Sequence, residues 1–391
     1  MSGSRPRLVH VTTTDISLEL LLGQHLRAFR DAGYDVIAMS APGPFADALV
    51  ADGIEFVGLQ HASRAIAFGS DLRAGRELYG HFRALRPDIV HTHNPKPGIY
   101  GRLAARAARV PAIVNTVHGL YAQPDDALAK RAAVYSLERI AAFCSHAELV
   151  QNPEDLETLA HLGVPRRKLH QLGNGIDLRR FRPGRLSDER RGALRAEMGA
   201  GPDDVVCGVV ARLVWEKGYR ELFAAAAALR DRYPQLRVVA VGETDHDKAD
   251  AVTPADIDAA ERESGVHFLG HRSDVEDLYA AFDVSVLASH REGFPRTPME
   301  AAATGVPVVA TDIRGCRQVV DDGVTGLLVP RADAPALARA IETLVVDSAR
   351  RAQMGVAALD KARREFDQQR QIDITLDVYR ALTGRARAAA A

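Results

Sequence analysis

Cysteine is scarce in this chain. Only Cys144, Cys207 and Cys316 occur in 391 residues, far apart and with no CxxC pair. That excludes a disulfide framework, argues against a structural zinc site and fits a reducing compartment. Long apolar runs are missing too: no window reaches the roughly eighteen uninterrupted apolar residues of a membrane-spanning helix. The opening MSGSRPRLVHVTTTD lacks an apolar stretch after its basic residues, so no signal peptide is expected. Charge of one sign is absent, since 50 Lys and Arg nearly cancel 51 Asp and Glu. Nucleic acid is therefore not an expected partner, and any anionic ligand must be met by a local cluster. No GxxxxGK[ST] occurs, which excludes a P-loop. The expectation is a cytoplasmic protein, touching at most the inner face of a membrane.

What is present is ordinary globular composition, 47% hydrophobic and 26% charged. The length exceeds one compact core, so two domains are expected. Apolar runs alternate with amphipathic stretches throughout. In the first half strands are expected near Leu8–Val11, Asp35–Ser40, Phe56–Leu59, Asp88–His93, Ala112–Val117 and Leu149–Asn152, with helices such as Ser17–Ala32, Leu72–Leu85 and Ala127–Phe143 between them. The pattern pauses at Asn174-Gly175-Ile176-Asp177 and the polar Arg179–Arg191, then resumes. Val205–Ala211, Leu236–Gly242, Val266–Gly270, Val284–Ser289, Pro307–Asp312 and Gly326–Pro330 read as a second set of strands, with helices including Tyr219–Tyr233, Val275–Phe282 and Ala334–Val346. Such alternation means α/β architecture: two doubly wound, Rossmann-like domains, 1–182 and 183–368, followed by a C-terminal helix (369–391) that packs back toward the first domain and frays at Ala388–Ala391. Ligands of such sheets sit beyond the carboxyl ends of the strands, here expected in the cleft the two domains face.

The densest chemistry is Glu292-Gly293-Phe294-Pro295-Arg296-Thr297-Pro298-Met299-Glu300, directly after a strand. Pro298 belongs in a first helical turn, so the helix starts near Pro295 or Arg296. Its first amides are then available to a phosphate, and Gly293 lets a substrate approach the backbone. Glu292 and Glu300, acceptor-only carboxylates on either side, suit sugar hydroxyls flanking a diphosphate. A second stretch, Arg212-Leu213-Val214-Trp215-Glu216-Lys217-Gly218, also joins a strand end to a helix. Arg212 can fork onto phosphate oxygens and Lys217 can add a point charge, although both could be ordinary surface cations. In the turn Phe268-Leu269-Gly270-His271-Arg272, a planar base could lie along the backbone.

These residues resemble the retaining glycosyltransferases of family 4, with the two-domain GT-B fold, along almost the whole chain. The resemblance rests on Glu292 to Glu300 (E-x7-E), Arg212 to Lys217 (R-x4-K), and Thr311-Asp312-Ile313-Arg314-Gly315-Cys316 running on to Gly326. It implies that Glu292 holds donor-sugar hydroxyls, Glu300 the ribose, and Arg212 with Lys217 the diphosphate. Gly293, Phe294, Pro295, Arg296 and Thr297 complete the donor contacts, with Gly270 and Arg272 beside the base.

In the first half, Val117-His118-Gly119-Leu120 ends a strand. The matching family histidine faces the donor sugar near its reacting centre; the alternative is a histidine that simply caps a strand. Asn174-Gly175 matches a family element near the cleft, and a plain turn would look the same. His91-Thr92-His93-Asn94-Pro95-Lys96-Pro97-Gly98 could suggest a metal, but alternation puts both histidines on one packing face, so no metal site is expected. Thr14, Lys96, Gly98 and Asn174 are the acceptor-side candidates. Many family members carry paired glycines after the first strand; here Thr12–Ser17 has none, and threonine hydroxyls would stand in. This loop, HTHNPKPG and VHGLY are more like the branch that builds capsule, lipopolysaccharide and lipid-linked glycans. Arg102, Arg106 and Arg109 share a helix face that could meet anionic lipid or a lipid-diphosphate acceptor, or be merely solvated.

The implied reaction moves a sugar, with retention, from a nucleotide-diphosphate donor (UDP with an N-acetylhexosamine or hexose) to a small-molecule or lipid-linked acceptor. Cations and helix amides would stabilise the leaving diphosphate, so no cofactor or metal is required. Rival readings are a sugar-nucleotide epimerase or hydrolase, a glycosidase using Glu292 and Glu300, and a non-catalytic nucleotide-sugar binder.

Overall fold

The computed structural model describes residues 5–63, 68–93, 95–122, 126–245 and 248–390. Asn94 of the HTHNPKPG stretch, the first four residues of the opening segment and Ala391 lie outside them. The chain divides into two units, 1–173 with 369–391, and 174–368. The expected junction near residue 182 lies inside the second unit, because Asn174-Gly175-Ile176 is bound there. The Ile176 amide donates to the Phe366 carbonyl at 2.9 Å, and a Cβ on Gly175 would stand 2.7 Å from the Gln368 backbone.

The first unit carries β1 (Arg7–Thr14), β2 (Asp35–Ala41), β3 (Glu55–Gly58), β4 (Ile89–His93), β5 (Ala112–Val117), β6 (Ala147–Val150) and β7 (Leu169–Gln171). All pair in parallel, in the order β3-β2-β1-β4-β5-β6-β7. β4, β5 and β6 are buried at every position, which explains their near-continuous apolar reading. One face packs Leu8, Leu26 and Phe29 with Ile372, Leu376 and Tyr379 of the last helix, Gln368–Ala390, so the C-terminal segment completes this unit's core. That helix runs to Ala390.

The second unit carries β8 (Val205–Val210), β9 (Leu236–Val241), β10 (Val266–Phe268), β11 (Val284–Leu287), β12 (Val308–Thr311) and β13 (Gly326–Val329), again all parallel. Their order is β10-β9-β8-β11-β12-β13. In each sheet the order reverses beside the first strand, between β1 and β4 and between β8 and β11. At such a switch point the loops leave in opposite directions and open a crevice at the carboxyl ends.

Candidate active site

Both motifs of the second unit flank its switch point. After β8 comes Arg212, then a short 3-10 turn, Trp215–Lys217, and Gly218 before the helix Tyr219–Arg230. After β11 comes Glu292, then the helix Arg296–Ala303, whose N-terminus falls where the position of Pro298 requires. Pro295 occupies the N-cap and offers no side-chain cap to this helix end.

The two loops are stitched together by named contacts. Lys217 Nζ donates to Glu292 Oε1 at 2.5 Å, and Ser289 Oγ donates to the same oxygen at 2.7 Å. The His290 amide donates to the Glu216 carbonyl at 2.8 Å. Two glycines make the approach possible. Gly218 has φ 79°, and a Cβ on it would stand 2.0 Å from the Ala288 carbonyl oxygen; one on Gly315 would meet the Glu292 carbonyl oxygen at 2.6 Å. Lys217 and Glu292 keep 19% and 13% of their side-chain surface exposed, enough for a ligand to reach them in a largely desolvated setting.

The other expected donor residues are distributed around this pair. Among the described residues, of Arg212, Lys217, Glu292 and Glu300 only Lys217 and Glu292 touch. Arg212 is half-exposed and pairs with Asp245. Glu300 lies in the helix after the amides, where loss of water pushes its carboxyl above the usual range against the opposing pull of Arg296 and Arg180. The buried Tyr279 hydroxyl lies beside it and adds to the downward pull on the carboxyl. Gly270 follows β10 in the left-handed region with φ 66°, and its carbonyl accepts from the Gly242 amide at 2.9 Å. Arg272 is committed to Asp274 and Glu197 at 2.7–2.9 Å. Asn174 donates to the Phe294 carbonyl at 2.7 Å and so braces the Gly293–Thr297 loop from within this unit. Asp245, Ser289 and Gly242 were not legible as site neighbours; the glycine ending the β9 run was the one available signal for the last.

In the first unit the glycine-free loop is ordered by a buried acid instead. Asp15 accepts from the Ile16 amide at 2.9 Å and the Phe45 amide at 2.7 Å. Thr14 Oγ1 lies 3.3 Å from Ser17 Oγ. Lys96 pairs with Asp71 at 2.5 Å and donates to the Ser63 carbonyl. Gly98 is packed so that a Cβ would lie 3.1 Å from Asn115 Oδ1. The helix here is Pro95–Ala107, so Arg102, Arg106 and Arg109 do not form one basic helical face: Arg109 lies beyond its end with φ 60°. Arg102 is fully buried, donating to Glu138 at 2.6 Å and Glu148 at 2.7 Å, because two acids inside the unit satisfy it; only Arg106 and Arg109 are exposed.

His118 closes β5, beside Gly119 with φ 139°. Behind it His91 and His93 share a packing face with His10 of β1, their ring nitrogens within 4.8 Å of one another. A metal would have to displace protein partners there, since all six nitrogens of His10, His91 and His93 are already in hydrogen-bond contact. Burial drives His10 down to about 3, helped by His25, and His118 down to about 4 against a hydrogen bond with Gln151. His91 and His93 fall well below the ordinary value for the same reason. All four rings are therefore neutral near pH 7.

Comparison with known proteins decides what this arrangement belongs to. A family model for "Glycosyl transferases group 1" matches residues 191–361, and one for "Glycosyltransferase Family 4" matches residues 19–180. The chain belongs to this glycosyltransferase family. It is 33% identical over 312 residues to a D-inositol 3-phosphate glycosyltransferase of Xylanimonas cellulosilytica, covering 76% of this chain and 73% of the relative. It is 27% identical over 371 residues to the capsular polysaccharide biosynthesis glycosyltransferase CapM of Staphylococcus aureus (93% and 94%). An Escherichia coli UDP-Gal:alpha-D-GlcNAc-diphosphoundecaprenol alpha-1,3-galactosyltransferase is 29% identical over 343 residues, 86% of each chain. Among solved structures, Anabaena Alr3699/HepE in complex with UDP and glucose superposes with TM-score 0.78 at 22% identity over 97% of this chain and 99% of that one. The fold is thus GT-B, and this glycosyltransferase is of the capsule and lipopolysaccharide branch, taking its sugar from a nucleotide-sugar donor. No helix among the described residues is long and apolar enough to cross a membrane.

Proposed function

We propose that this glycosyltransferase moves a hexose or N-acetylhexosamine from UDP to a hydroxyl of a lipid-diphosphate-linked glycan, with retention at the anomeric carbon. The observation that carries the reading is the Lys217–Glu292 pair, 2.5 Å apart at the switch point beside the N-terminus of the helix Arg296–Ala303. Lys217, Arg212 and the helix amides would receive the charge that develops on the departing diphosphate; Glu292 would orient the sugar hydroxyls, and Glu300 the ribose. Gly293–Thr297 would line the sugar and phosphates, and Gly270 with Arg272 the base. For Arg212 this requires exchanging Asp245 for the phosphate oxygens. His118 would serve the sugar's reacting end, and Thr14, Lys96, Gly98 and Asn174 the acceptor side. The acceptor hydroxyl would enter on the face the diphosphate leaves, which takes its proton. The cations make a divalent metal unnecessary, so transfer should survive EDTA unchanged; loss of activity restored by added Mg²⁺ would count against this part.

The acceptor class rests on the E. coli relative's name and its even coverage of both chains. The test is a panel. UDP-sugars should raise the melting temperature by mass action, and the stabilising donor should label an undecaprenyl-diphosphate-linked sugar, with the anomeric configuration read by NMR. Transfer to inositol phosphate instead would move the acceptor assignment to that class. Release of free sugar without any acceptor would favour a hydrolase, and stabilisation without turnover a binding protein.

A further inference from the structure

Five buried polar groups of the first unit that the proposed chemistry does not use, Tyr379, His91, His10, His93 and Thr116, form one connected chain that reaches His118. Tyr379 of the last helix lies 2.5 Å from His91 Nδ1 and 3.3 Å from His10 Nε2. His10 Nδ1 lies 2.9 Å from His93 Nε2, and His93 Nδ1 lies 3.2 Å from His118 Nε2. On the other branch, His91 Nε2 lies 2.7 Å from Thr116 Oγ1. His10, His91, His93, Thr116 and Tyr379 are each at most 4% exposed, so water cannot repair a mismatched donor or acceptor. A neutral imidazole donates from one nitrogen and accepts at the other. The chain therefore has only two consistent directions. In one, Tyr379 donates to His91, and His10, His93 and His118 each carry the proton on Nε2. In the other, Tyr379 donates to His10, and the protons of His10, His93 and His118 all move to Nδ1. The much shorter Tyr379–His91 contact favours the first, because an O–H donor makes the shorter bonds, and Thr116 Oγ1 then accepts from His91 Nε2.

We propose that Tyr379, His10 and His93 are positioning residues: together they set which ring nitrogen of His118 carries its proton, so the C-terminal helix governs the hydrogen-bonding role of a histidine at the sheet's ligand end. The consequence for transfer rests on the reading of His118 as a site residue; the tautomer coupling does not. In Tyr379→Phe, the Nε2 proton of His10 loses its acceptor, and reversal replaces a buried unpaired N–H with an unpaired ring nitrogen, the better tolerated of the two. In Thr116→Val, His91 loses the acceptor of its Nε2 proton, moves it to Nδ1, and turns Tyr379 toward His10, with the same result from the opposite branch.

The experiment is ¹⁵N–¹H NMR of the full chain, labelled at histidine, for wild type and both variants. The expected result is protonated Nε2 on His118 in wild type and an exchange of the pyrrole-type and pyridine-type ¹⁵N signals in each variant. The two variants perturb different side chains, so misfolding of one leaves the other informative. An unchanged His118 tautomer in a folded variant overturns the proposal, whatever its activity. Failure of the site reading shows separately, as full transfer by His118→Ala. If both hold, Tyr379→Phe lowers kcat while leaving donor KM near wild type, a split that general loosening of the core would not produce.

Discussion

Glu148 is the residue on which the interior of the first unit depends most heavily. It is fully buried, accepts from Arg102 at 2.7 Å and Asn115 Nδ2 at 2.8 Å, and also takes a hydrogen bond from Ser145. Removing it leaves the Arg102 guanidinium with Glu138 and the Gly98 carbonyl, and with half of its opposing charge gone. Glu148→Ala should therefore cost about 3–5 kcal/mol in urea unfolding, the usual penalty for a broken buried pair, and Glu148→Gln, which keeps hydrogen-bonding atoms, clearly less. Equal, small losses would show that the pair is not the anchor described. The histidines give a second residue-scale prediction. His10 falls from an ordinary 6.5 to about 3 in the folded chain, so between those values the unfolded state binds the extra proton. Stability from His10 is complete above pH 6.5 and is lost as pH falls toward 3, by about 2 kcal/mol at pH 5. His91, His93 and His118 shift in the same direction. Unfolding followed at pH 7 and pH 5 should show a steep acid loss that His10→Asn reduces; a flat profile would contradict it.

At the scale of elements, the connection after β8 is decided by Gly218. Its φ of 79° and the 2.0 Å approach of a built Cβ to the Ala288 carbonyl leave no room for a side chain. Gly218→Ala should displace the turn that carries Lys217 and lower kcat/KM far more than the melting temperature. Gly199→Ala shares the left-handed backbone but meets nothing within 4 Å, so only the conformational cost of about 1 kcal/mol remains. A Gly218→Ala enzyme as active as Gly199→Ala would remove the steric argument. Elements with a clear apolar pattern were legible: Ala112–Val117, buried throughout, and the amphipathic Ala334–Val346 have the bounds that apolar runs and Pro335 suggest. β7, three residues at the sheet edge and nowhere buried, carries no apolar pattern and was missed. The stretch Ser17–Ala32 reads as one helix but is a π-helical turn, Ser17–Leu21, followed by a helix from Gly23. Periodicity registers which side is apolar, not a change in helical pitch.

Across the whole molecule, two sheets repeat one strand order, and what sequence cannot supply is which distant side chains that order brings together. Lys217 and Glu292 could be placed on the ligand ends of their strands, but their contact depends on β8 lying beside β11. The same holds for Arg102, whose helical spacing suggests a solvated face until Glu138 and Glu148 are seen to enclose it. Tyr379 is a further case: no local pattern connects it with His10, although the last helix fills the first unit's core. The most direct measurement of the central claim is steady-state transfer by Lys217→Ala and Glu292→Gln with the donor that stabilises the wild-type chain. Both variants should keep the wild-type melting profile and lose about 100-fold or more in kcat/KM, the scale of a lost transition-state charge contact. Near-wild-type transfer by both folded variants would contradict it.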